Sequence, residues 1–90
     1  MDIKIKDFLT ESNWTKGQFA RDEHNIGCSW EDEKAVKFCL LGAAHKCYTN
    51  EAEMLHFMLE RELRGDAIIW QDAPERTFAE VSALVKKLDI

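Results

Sequence analysis

Six side chains in this chain could hold a metal ion or act as a nucleophile: His24, Cys28, Cys39, His45, Cys47 and His56. Structural zinc needs ligand pairs two to four residues apart, so that one turn of chain presents both to the ion. His24-x-x-x-Cys28 and His45-x-Cys47 come near that spacing. On a helix, however, residues i and i+2 point about 200° apart, so His45 and Cys47 cannot chelate together. Cys39 falls on an apolar stripe, where a free thiol behaves as a small hydrophobe. No metal and no cofactor are expected.

Cysteine catalysis fares no better. A nucleophilic cysteine needs an electropositive, partly exposed setting. Cys28 stands beside Glu31 and Asp32, which raise a thiol pKa, and Cys39 reads as buried. Cys47, next to His45 and Lys46, is the best of the three. Yet it lies at a helix C-terminus, whose dipole disfavours a thiolate. The expectation is a protein with no catalytic residues, and a small Cys/His enzyme or zinc protein using His45 and Cys47, or His24 and Cys28, is the rival reading.

Recognition residues are more plausible. In Trp70-Gln-Asp-Ala-Pro-Glu-Arg-Thr77, Asp72 can accept backbone N–H groups in an Asx turn and Pro74 fixes the chain. Arg76 can pair with Asp72 or Glu80, and Thr77 can cap the next helix. A surface Trp-Asp-Arg set is also what a binding hot spot offers. Trp14 and Trp30 either anchor a loop to the core or flank the acidic run Glu31-Asp32-Glu33 as exposed aromatics. Trp70, Asp72, Arg76, Glu31, Asp32, Glu33, Trp14 and Trp30 are therefore the candidate partner-binding residues.

Four helices are expected to position them. Met1, Ile5, Phe8 and Leu9 share one helical face, ending by Ser12-Asn13. Residues 14–29 are irregular, a long Trp-containing loop punctuated by Gly17 and Gly27, with a short helix around Gly17–Glu23 as the alternative for so long a stretch. A second helix begins after Ser29 or Glu31, where three acids suit the N-terminal dipole, and runs to about Tyr48. Its stripe is Ala35, Phe38, Cys39, Gly42 and Ala43, with Gly42 marking a close helix crossing. Asn50 and Glu53 form a capping box for the third, which carries Leu55, Met58, Leu59 and Leu63 and stops at Gly65. Thr77 and Glu80 form another for the fourth, with Phe78, Val81, Leu84, Val85 and Leu88 inward. Ala67–Trp70 is a short apolar run, read as one strand turn or an extended buried segment.

The chain has 90 residues, 46% of them apolar, which supports one single helical domain over 1–90 with a real core. A net charge of -5 with scattered lysines argues against direct nucleic-acid binding, which must displace phosphate counterions. The longest uncharged apolar run, Phe38–Ala44, falls far short of the ~20 residues of a bilayer span, and the start lacks a signal-peptide centre. Three cysteines, an odd number, suit a reducing cytoplasm.

Trp14-x-x-Gly17, Ala35-x-x-Phe38-Cys39-x-x-Gly42-Ala43 and Trp70-x-Asp72-x-x-x-Arg76-Thr77-x-x-Glu80-Val81 together resemble a bacterial and phage family of small uncharacterised domains. The resemblance spans roughly residues 8 to 88. Phe38 stands where that pattern usually has Trp, and Gln71 where it usually has Asn. The resemblance implies a helical fold and a cytoplasmic bacterial or phage setting, and it implies no activity.

The reading that results is an all-α, non-enzymatic protein-binding domain whose acidic surface docks a basic partner. A phage or mobile-element inhibitor or adaptor, such as an anti-CRISPR acting on a nucleic-acid-binding defence complex, fits that description. The third reading is a structural helical module that self-associates, as a homodimer, through Met54 and Phe57, which fall off the core stripe.

Overall fold

A computed structural model of the protein describes residues 3–90. Met1, counted above in the first helical stripe, lies outside them. The order of elements is α1 (Ile5–Phe8), β1 (Ala20–Arg21), β2 (Gly27–Cys28), β3 (Lys37–Phe38), α2 (Leu40–Cys47), α3 (Ala52–Leu63), α4 (Ala67–Asp72) and α5 (Phe78–Leu88). The expected all-α class is therefore wrong. Among the described residues five helices stand beside a small three-stranded antiparallel sheet of order β2-β1-β3, which meets them chiefly through α2, giving a mixed α/β fold.

The sheet occupies the stretch read as loop and the first half of the expected second helix. Ala20 pairs with Cys28 on one side and Phe38 on the other. The β1–β2 turn is built by Asp22, whose Oδ1 accepts from the backbone N–H of His24 and Ile26, and by Asn25 in the left-handed region (φ 64°). The backbone N–H groups of Val36, Phe38 and Cys39 donate to the carbonyls of Arg21, Asn13 and Phe19. Those donors are committed across the chain, so a helix cannot run through them. α2 starts only at Leu40, capped by Cys39, whose Sγ accepts from the Gly42 N–H at 3.3 Å. Glu31, Asp32 and Glu33 consequently sit in an exposed turn between strands, not at a helix N-terminus.

Gly42 is a close-packing point, but its neighbour is not a helix. A Cβ there would collide with the carbonyl oxygen of Phe19, and the carbonyl carbon lies at 2.9 Å. The missing side chain lets the strand-entry backbone lie directly on α2.

The remaining helices follow local chemistry in part. Thr77 and Glu80 form the expected capping box of α5. Asn50 caps nothing: α3 begins one residue later, from Glu51, with no side-chain cap bond. At its far end Arg64, not Gly65, takes the left-handed conformation (φ 57°). Ala67–Trp70 is helical, because Asp66 accepts from the Ile69 N–H and so caps α4. The core joins Ile5, Leu40, Leu41, Leu59, Val81 and Val85, all nearly fully buried. Among the described residues no helix is long and apolar enough to cross a membrane.

Candidate functional site

Ala67 and Gln71 are one helical turn apart on α4, and both are buried. Gln71 is 1% exposed, and among the described residues it is the buried polar side chain of the core. A buried amide is tolerated when its donors and acceptors are matched. Its Oε1 accepts from the Trp14 indole N–H (2.7 Å) and from the Leu40 backbone N–H (3.0 Å). Its Nε2 donates to the Thr15 carbonyl and to Asp72 Oδ1, each at 3.1 Å. Two donors and two accepting lone pairs are all used. One side chain thus ties the N-terminal segment, the start of α2 and α4 together.

Asp72 extends the junction. Its Oδ1 also accepts from the Gly17 backbone N–H at 3.0 Å, so it orders a distant loop instead of its own turn. Lys16 Nζ donates to the carbonyl of Ala73 at 2.7 Å. Arg76 stacks on the Trp70 ring, 3.9 Å from its centroid, donates from Nε to the Trp70 carbonyl and reaches Glu80 at 2.8 Å. The Thr77 backbone N–H, and after it Arg76, hold the Glu80 carboxyl below its ordinary pKa. Of the two partners expected for Arg76, Glu80 is the one it takes. Trp14, Trp70 and Arg76 are therefore held in this internal bracing.

What the bracing presents outward is a cleft of about 210 Å³ between Gly17–Phe19 and α4, lined by Cys39, Ile68, Gln71 and Asp72 as well. Phe19 and Ile68 are 39% and 41% exposed. Phe19 packs edge-on against Trp30 at 5.5 Å, and Trp30 stacks on His45 at 4.2 Å. Trp30, His45, Glu31, Lys46 and Thr49 line a second, open cleft of about 530 Å³. Phe19 thus stands between the two clefts, lining the first and packing on the Trp30 that lines the second.

Of the candidate partner-binding residues, Asp72, Trp30 and Glu31 line these clefts, together with Gln71, Phe19 and Ile68, which were not among those candidates. Asp32 and Glu33 are exposed in the neighbouring turn, and Glu33 lines a separate hollow with Asp22 and His24. The signal for Gln71 was its position four residues after Ala67, on the same helical face.

The Cys/His set is dispersed. His45 is in the aromatic stack, and His24 and His56 lie beside Glu23 and Glu60. Burial pushes the Cys47 thiol up to about 11. Burial also raises Cys39, while desolvation and then Asp32 and Asp22 raise Cys28. Among the described residues no three His, Cys, Asp or Glu side chains stand close enough to share a metal ion.

A family model described as a family of unknown function (DUF6197) matches residues 3–88. The chain belongs to that family. The DUF6197 match runs from the start of the described chain through α5, and so takes in the whole Gln71 junction and both clefts. No curated protein and no solved structure matches the chain.

Proposed function

We propose that the protein is a non-enzymatic binding domain that docks a protein partner through the face running from Ile68 across Phe19 to Trp30. The observation that carries this is the placement of Phe19, exposed at the rim of the Asp72 cleft and edge-on to Trp30. A pocket of this size takes one side chain of a partner, and aromatic anchors around such a pocket supply most of the energy of an interface. The junction behind it is fully hydrogen-bonded without any partner, and a preorganised surface loses less entropy on association. Asp72 and Glu31 along the face, and a net charge of -5, favour a basic partner surface. An inhibitor or adaptor of a nucleic-acid-binding complex, carried by a phage or mobile element, is the form of this reading whose target has such a surface.

The test is affinity capture from bacterial lysate with the wild-type chain, Phe19→Ala, Ile68→Asp and a control at an exposed residue outside these surfaces, Glu11→Gln, each with its melting curve. Capture of the same protein by wild type and control, lost in the two cleft variants without loss of folding, supports the reading. Capture that survives both cleft substitutions overturns it.

A further inference from the structure

Helix α3 turns Ala52, Leu55 and Leu59 into the core. At 100° per residue, the face opposite those three is centred on Met54 and Phe57. These are 74% and 69% exposed, among the most exposed large apolar side chains of the described chain. They point away from the core, so no small shift of the helix would bury them. Beside them is an open, mostly apolar groove of about 360 Å³ lined by Tyr48, Glu51, Met54, Leu55 and Met58. On the outward face of this helix the charges are ordered along it, because the acids of its last turn are taken up elsewhere, Glu60 by His56 and the Ala67 N–H and Glu62 by Lys87. Glu51 and Glu53 stand at its start, and Arg61 and Arg64, both exposed, at its end.

An ordering of that kind is complementary to itself when reversed. Glu53 and Arg61 are each four residues from Phe57. A two-fold axis passing by Phe57 therefore brings Glu53 of one copy level with Arg61 of the other, twice, and opposes the two helix dipoles. Parallel packing would set like charges side by side. We propose that α3 is a homodimer contact in which a second copy of this chain lies antiparallel across Met54 and Phe57. Twelve residues make a helix about 18 Å long, so the contact is small and the dimer is of the weak, concentration-dependent kind.

Sedimentation velocity on the full chain between ~10 µM and ~1 mM tests this. The expected result is a sedimentation coefficient that rises with concentration for wild type and stays at the monomer value for Phe57→Ser, whose melting is unchanged. Glu53→Arg alone and Arg61→Glu alone should each weaken association at least several-fold, and the double variant should regain it, because the pattern is then reversed on both copies. Ile68→Asp, on the proposed partner-docking face, should associate like wild type, which separates this contact from that one. A wild-type chain that stays monomeric throughout overturns the proposal. So does a Phe57→Ser chain that still dimerises, or a double variant that does not recover.

Discussion

Trp14 donates its indole N–H to Gln71 over 2.7 Å, although 57 residues separate the two along the chain. The same amide oxygen accepts the Leu40 N–H, so its loss would strand two buried or half-buried donors at once. An unpaired buried donor costs about 1–3 kcal/mol.

Gln71→Leu, which keeps the volume and removes the amide, is therefore expected to destabilise by about 2–5 kcal/mol. Gln71→Asn, one methylene shorter, should fall between leucine and wild type, since it retains the groups but not their reach. Urea unfolding midpoints measure both. Equal midpoints for leucine and wild type would mean the network contributes nothing net.

Gly42→Ala tests the backbone contact on α2. Helix propensity alone favours alanine by about 1 kcal/mol. Against it stands the Phe19 carbonyl, which is main chain and cannot swing aside. Overpacking of this kind costs about 1–3 kcal/mol, so net destabilisation is expected. A raised midpoint would place the Phe19 backbone elsewhere.

The two capping boxes read from sequence should now behave differently. Thr77→Ala removes the Oγ1 that accepts from the Glu80 N–H and should cost about 1 kcal/mol. Asn50→Ala removes no cap bond and should change stability by less than about 0.5 kcal/mol. A thermal or urea comparison of the pair decides.

Acid should loosen the chain ends in a defined window. Lys6, at 2.6 Å, and Lys4, at 3.0 Å, hold the Asp89 carboxyl at about 2, below its ordinary 3.8. A depressed carboxylate contributes stability above its unfolded pKa and loses it as pH falls through the folded one. The contribution is thus complete above about pH 4 and gone near pH 2, and salt weakens it. Asp89→Asn suits the left-handed backbone there (φ 55°) and should remove this part of the pH dependence. Wild type and variant should converge in midpoint between pH 4 and pH 2.

Physical locality separates what was readable in the residues from what was not. The Thr77–Glu80 cap spans three residues, and the α5 stripe recurs within single turns, so both are written in adjacent sequence. The sheet is different. Each strand is two residues long, too short to show alternation, and its ladder partners lie elsewhere in the chain. Ala35, Phe38 and Cys39 did keep a helical spacing with Gly42, and it is bonds to distant backbone, the carbonyls of Arg21, Asn13 and Phe19 and the N–H of Thr15, that draw their stretch out of a helix. The site divides in the same way. Trp70 and Arg76 are close in sequence and stack. The meeting of Phe19 with Trp30, and of Asp72 with Gly17, depends on the sheet and could not be read before it.

Ile90 is 5% exposed, and its carbonyl accepts from the Ile5 N–H and the Tyr48 hydroxyl. α1 is a single turn, too short to persist unsupported, and it packs chiefly against α2 and α5. An opening that frees Ile90 from Ile5 and Tyr48 therefore loosens α1 as well, so the amide protons of these two segments, far apart in sequence, should exchange with solvent together.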